Sequence, residues 1–116
     1  MLSRKHRLKK NKQFNYIYKK GQAKHSRHLS VVFISSKISE IKVGISVSKK
    51  VGKSVVRSKV KRRLSEIVRL LLPNLKQNTN YIFITKEGIA DLSYADLKKE
   101  VVYVLKKASL LNENND

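Results

Sequence analysis

The stretch IKVGISVSKKVGKSVVRSKVKRRLSEIVRLLLP, from Ile41 to Pro73, changes period in its middle. Its first part alternates. Ile41, Val43, Ile45 and Val47 fall on one side of an extended chain, and Lys42, Gly44, Ser46 and Ser48 on the other. The second face is small and polar, which predicts an open floor rather than a second packed layer. From about Ser54 to Leu72 the apolar residues recur at helical spacing, and Pro73 ends the pattern. Taking about 100° per residue, Val56, Val60, Leu64, Ile67 and Leu71 lie within about 40° of one direction. Ser58, Arg62, Ser65 and Arg69 lie opposite; Arg57 and Lys61 flank one edge of the stripe, and Lys59 and Arg63 the other. The segment is a strand followed by a helix that packs by one stripe.

What that helix carries elsewhere is charge. Eight basic residues, Lys49, Lys50, Lys53, Arg57, Lys59, Lys61, Arg62 and Arg63, stand between positions 49 and 63 with no acid among them. Arg57 and Lys59 lie near the helix N-terminus, where cations meet the positive end of the macrodipole. Local stability opposes such a placement, and a bound phosphate backbone compensates it. A solvated lysine-rich surface is the alternative for any charge run; a core-forming helix without one acid in its basic stretch favours nucleic acid.

The rest of the chain repeats the asymmetry. The 116 residues carry a formal charge of +19. Residues 1–63 hold 20 of the 27 Lys and Arg and a single acid, Glu40, whereas residues 64–116 balance seven against seven. A polyanion is the partner that relieves such self-repulsion. The length and 41% hydrophobic content fit one domain with a real core. There is no cysteine, which excludes disulfides and thiolate metal sites. The start MLSRKHRLKKNKQF lacks an apolar h-region, and no apolar run approaches the ~20 residues of a membrane span. A cytoplasmic protein with no membrane partner is expected.

Residues 1–10 read as a basic arm and residues 112–116 as a frayed tail of a single domain, 1–116. Asn11 is placed to cap a first helix with Phe14, Ile17 and Tyr18 on one face, and Gly21 to end it in a left-handed turn. HLSVVFISS (28–36) is β-prone, and the short link near Lys37–Glu40 predicts an antiparallel hairpin with the strand after it. NYIFITK (80–86) is a strand. Ser93 and Asp96 resemble a capping box before a helix presenting Leu97, Val101, Val104, Leu105, Ala108 and Leu111. The order is α-β-β-α-β-α, with room for a further short strand inside 28–50. The class is α+β: a small two-layer sandwich on a roughly four-stranded mixed sheet.

Catalytic chemistry finds little support. Asp91 and Asp96 make no metal pair, and the few acids form no two-metal cluster. His25 and His28 form an HxxH without the further ligands zinc requires, and a place on the basic surface is the simpler reading. VGKS at 51–54 resembles the end of a phosphate loop, but position 47 is Val where glycine is needed. Phe14 and Tyr18 beside a polar strand face suit stacking on unpaired bases, or they are core contacts of their helix. A ribosomal-type structural module and a sequence-reading DNA-binding protein are the other classes. The latter is disfavoured because a strand, not a helix, precedes the basic helix.

KVGISVSKKVGKSVVRSKVKRRLSEIVR resembles the signature of the bacterial ribonuclease P protein component, a V-G-x-S-V-x-K-K strand end followed by V-G-x-A-V-x-R-N-R-x-K-R-x-x-R-E. LKKNKQFNYIYKKG and YIFITKEGIADLSYADLKKEV extend the resemblance over almost the whole chain. Arg57-Ser58-Lys59 stands where the family has Arg-Asn-Arg, and Ser65-Glu66 where it has Arg-Glu. Lys59 keeps the charge but loses the bidentate fork of arginine. The resemblance implies a protein subunit without catalytic residues or a metal site of its own. By that resemblance a catalytic RNA would remove the 5′ leader of precursor tRNA, with Mg²⁺ held mainly by that RNA. It further implies a monomer in a 1:1 complex with the RNA, and a left-handed β-α-β crossover. Lys49, Lys50, Lys53, Arg57, Ser58, Lys59, Lys61, Arg62 and Arg63 would meet the catalytic RNA. Phe14, Tyr18 and Val32 would meet the leader, with Val32 standing where an aromatic is often found and Phe33 able to compensate for it.

Overall fold

The computed structural model describes residues 4–37 and 40–112. Helix α1 (Asn11–Lys20) leads into strands β1 (Gln22–His25), β2 (Leu29–Ser35) and β3 (Lys42–Ser46). Helix α2 (Ser54–Leu71), strand β4 (Thr79–Thr85) and helix α3 (Tyr94–Lys107) complete the order. The four strands form one sheet in the order β1-β2-β4-β3. β2 pairs antiparallel with both β1 and β4, while β3 lies parallel to β4 and is joined to it through α2. The expected α+β class and mixed four-stranded sheet are both present.

The expected hairpin between β2 and β3 is not. β4 inserts between them, pairing Val31 with Phe83 on one side and Ile45 with Phe83 on the other. A strand buried on both faces and paired on both edges suits the apolar run Tyr81-Ile82-Phe83, all fully buried. β2 instead finds its hairpin partner in β1, which lies before position 28 rather than inside 28–50. QAKH has no apolar alternation to announce it: all four residues are exposed on the sheet edge.

The alternation of β3 holds as read. Ile41 and Val43 are buried in the main core, and Ile45 and Val47 pack against it. That core lies between the sheet and the helices α2 and α3, joining Val60, Leu64, Ile67, Val68 and Leu71 to Leu97, Val101, Val104 and Leu105. Full burial of each such side chain contributes roughly 1.5–3 kcal/mol. Half of the expected capping box is present at the start of α3, Asp96 N–H donating to Ser93 Oγ at 3.1 Å. Pro73 falls in a 3₁₀ turn, Leu72–Asn74, directly after α2.

The opposite face of the sheet is not open. α1 lies on it, and Leu8, Ile17, Val32 and Ile82 form a second, smaller buried cluster with Phe14, Ile34 and Ile84 at its margin. Gly21 follows α1 with φ −80° and ψ 171°, an extended rather than left-handed conformation. Space is what requires glycine there, since a Cβ would stand 2.6 Å from Ile17 O and 2.7 Å from Phe33 O.

The basic N-terminal segment docks along β3. Leu8 N–H donates to Val43 O at 2.9 Å, and Lys42 Nζ to Lys5 O at 2.6 Å. This covers an edge that would otherwise present unpaired backbone groups. At the other end Asn112 N–H donates to Asn74 O at 2.6 Å. Residues 1–3 of the expected arm and 113–116 of the expected frayed tail lie outside the described residues.

Candidate nucleic-acid interface

The geometry of the site begins at Gly44. Phe14 comes from α1 on the minor face of the sheet and lies over this position; a Cβ on Gly44 would be 2.5 Å from the ring. The polar side of β3 therefore has to be small, because an aromatic ring occupies the space above it. Beyond the ring a groove of about 610 Å³ opens, floored by Val43, Gly44 and Ile45. Phe14 with Arg7, Leu8 and Lys9 of the docked N-terminal segment forms one wall. Ser58, Lys61, Arg62 and Ser65 of α2 form the other. Among the described residues no carboxylate and no histidine lines it.

The helical geometry explains which α2 residues arrive there. The apolar stripe fixes the helix against the main core, which turns one flank of α2 toward the N-terminal segment. Ser65 lies on that flank and is buried, so a short side chain at this position preserves the depth of the groove. Sequence reasoning placed Ser65 on the outer side; the structure puts it in the groove, with the docked N-terminal segment and Phe14 of α1 among the other lining residues.

The nine residues expected to meet the catalytic RNA do not form one surface. Ser58, Lys61 and Arg62 line the groove. Lys59 and Arg63 lie on the opposite flank, around a smaller pocket of about 330 Å³ shared with Val51, Ala90 and Asp91. Arg63 Nη1 donates to Leu92 O at 3.1 Å, which ties α2 to the turn before α3. Arg57 Nε turns back to Gly52 O at 3.2 Å, bracing the turn that precedes the helix. Lys49, Lys50 and Lys53 are exposed on that turn and at the N-cap, crowding positive charge around the positive end of α2.

The three expected leader contacts also separate. Phe14 lines the groove. Tyr18, one turn on, has its ring centroid 6.4 Å from that of Phe14 and is 45% exposed. Val32 is buried beneath α1 and 7% exposed, so it supports the groove from within and offers no stacking surface. Phe33 cannot replace it, because its side chain points to the other face of the sheet and packs on the main core. Arg7 and Lys9 were missed as individual groove residues. Their charge was visible in the basic arm, but their docking depends on backbone bonds to β3.

His25 and His28 are engaged separately. His25 Nδ1 lies 2.6 Å from Ser30 Oγ. His28 Nδ1 lies 2.8 Å from Glu100 Oε1, and Glu100 Oε2 accepts from His28 N–H and Ser26 Oγ, each at 2.5 Å. Burial pushes the Glu100 carboxyl up, but these hydrogen bonds together hold it below the usual carboxylate range. On the exposed side of α2, Arg69 pairs with Glu66 and hydrogen-bonds its carboxylate, lowering its pKa to about 2. Among the described residues no three His, Asp or Glu side chains gather at metal-ligand spacing. No helix among them is long and apolar enough to cross a membrane.

Comparison with known proteins agrees with this architecture. The family model described as Ribonuclease P matches residues 2–109. The ribonuclease P protein component of Alkaliphilus oremlandii is 39% identical over 106 residues, covering 91% of this chain and 93% of its own. That of Clostridium novyi is 37% identical over 114 residues, covering 96% and 100%. The structure of the Staphylococcus aureus RNase P protein superposes with a TM-score of 0.86 at 33% identity, covering 92% of this chain and 98% of that one. The Thermotoga maritima RNase P protein, at 23% identity and a TM-score of 0.80, shares the fold. With the family model spanning nearly its whole length, this chain belongs to the ribonuclease P protein family.

Proposed function

We propose that the groove between α1, β3 and α2 receives the single-stranded 5′ leader of a precursor tRNA, while the turn before α2 and its far flank hold the catalytic RNA. The observation that carries this reading is the pairing, in one groove without acids, of the Phe14 ring with Lys61 and Arg62. A ring offers a stacking surface that tolerates any base, and cations along the opposite wall track the phosphates. Lys49, Lys50, Lys53, Lys59 and Arg63 face away from the groove and are free of a role in leader binding; they are assigned to the catalytic RNA in a 1:1 complex.

The protein supplies electrostatics and positioning. Its cations screen the repulsion between two RNAs, and the gripped leader holds the substrate in place. The described residues do not fit a metal cage, and no step is assigned to a protein-bound ion. Mg²⁺ belongs with the RNA, which performs the endonucleolytic step in the cytoplasm.

The test is cleavage of a leader-bearing precursor tRNA at low Mg²⁺ by the cognate catalytic RNA alone, the protein alone, and the two together. Cleavage restored only in the mixture supports the reading. Tight RNA binding without restored cleavage would refute it.

A further inference from the structure

The strongest surface that the groove does not use lies at the far edge of the sheet. β1 is the edge opposite β3, and α3 packs over β1 and β2 on the face away from α1. Near the C-terminal end of α3, Tyr103 points outward and is 57% exposed. Lys99, Lys106 and Lys107 lie within about 60° of it around the helix, and all three are exposed. Lys24 extends the patch from β1: its register partner is Val31, whose side chain enters the core beneath α3, so both point to this face.

Two features distinguish this patch from an ordinary solvated lysine face. Lys107 is held in place: its Nζ donates to His25 O at 3.0 Å and stands 5.8 Å from the centroid of the Tyr103 ring. A cation is thereby fixed beside an exposed aromatic ring that has no part in the core. Glu100, about 60° from Tyr103 around the helix, is drawn inward by Ser26 and His28 and does not offset the lysines. Asp96 is closer in direction, about 20° from Tyr103, but lies in the first turn of α3, roughly 10 Å earlier along the helix.

We infer that the Tyr103 face of α3, with Lys99, Lys106, Lys107 and Lys24, is a second contact surface for single-stranded RNA, separate from the groove. An exposed ring among fixed and flexible cations matches the chemistry of an unpaired base followed by its phosphates. Since it lies at the opposite edge of the sheet from the groove, one protein molecule would hold two RNA segments at once. This assignment does not depend on what occupies the groove.

The experiment uses the full chain and a 20-nucleotide oligouridylate carrying 4-thiouridine. Binding is followed by anisotropy across a salt series, and photocrosslinks are located by mass spectrometry. A Phe14→Ala/Arg62→Ala protein, weakened in the groove, should retain binding and crosslink through Tyr103. Adding Tyr103→Ala should then weaken its remaining affinity about 5- to 50-fold, with Tyr103→Trp restoring it. Adding Lys99→Ala and Lys106→Ala instead should reduce the salt slope by about 1.4. Because these side chains are exposed, the fold is retained, which circular dichroism checks. No crosslink at Tyr103, or a residual affinity unmoved by these changes, would overturn the inference. So would a face that binds polyglutamate in preference to the RNA, which would make its partner an acidic protein. Failure of the groove reading shows elsewhere, as unchanged leader discrimination in the Phe14→Ala/Arg62→Ala protein.

Discussion

Phe14 and Gly44 occupy each other's space: the ring lies where a Cβ on Gly44 would come within 2.5 Å of two of its carbons. The groove therefore has its shape because one strand residue has no side chain. Replacing Gly44 by Ala must move the ring or the strand. Gly44→Ala should cost about 1–3 kcal/mol by overpacking. It should also weaken binding of leader-bearing precursor tRNA while leaving leaderless tRNA unaffected. Urea denaturation alongside paired tRNA titrations checks both parts. A destabilised protein with full leader discrimination would show that Phe14 need not sit over β3.

The two flanks of α2 make separable predictions. Arg62 lines the groove, whereas Lys59 borders the pocket on the other side. Arg62→Ala should reduce discrimination for the leader, and Lys59→Ala should weaken assembly with the catalytic RNA without changing it. Each lost phosphate contact should lower the salt slope of the affected equilibrium by roughly 0.7–0.9. Salt-dependent titrations of the two variants against each RNA measure this. Indistinguishable profiles would mean that the helix presents one continuous surface.

The legible parts of this chain were those written in local periodicity. β3, α2 and α3 each show a one-sided apolar pattern, and the core uses those sides. Strand order was not legible, because β4 pairs with β2 and β3 from more than thirty residues away, and nothing near Lys37 encodes that it will intervene. β1 escaped notice for the related reason that an exposed edge strand needs no apolar alternation. At the site, the charges and Phe14 were visible. The two edges of α2 were visible as well, with Lys61 on one and Lys59 and Arg63 on the other; that the Lys61 edge walls a groove was not, since it follows from the docking of Leu8 and its neighbours onto Val43.

Val32 tests the difference between a residue in a cleft and a residue beneath one. It packs with Ile17, Ile82 and Leu8 in the minor cluster. Val32→Ala should cost about 1–3 kcal/mol through a lost contact and a small cavity. At temperatures well below the melting point, leader affinity should be unchanged. Isothermal titration with leader-bearing tRNA separates the outcomes: a large loss of affinity in a folded variant would return Val32 to the contact surface.

Glu100 is the acid on which the β1–β2 turn depends. Its two oxygens gather Ser26 Oγ, His28 N–H and the His28 ring, joining the turn to α3. Its carboxyl is held below the ordinary value in the folded chain. The folded state therefore binds the Glu100 proton less readily than the unfolded chain does. The stabilisation this provides is complete above the unfolded pKa of about 4.3 and is lost as pH falls through the lower folded value. Glu100→Gln should remove about 1.5–3 kcal/mol at neutral pH, the cost of losing hydrogen bonds to a charged acceptor. The same variant should also flatten the acid limb of the stability curve, so that the two proteins converge toward low pH. Urea midpoints between pH 3 and pH 7 for both chains decide it. Parallel curves, with a constant gap down to the lowest pH, would show that the carboxylate charge is not what fastens the turn.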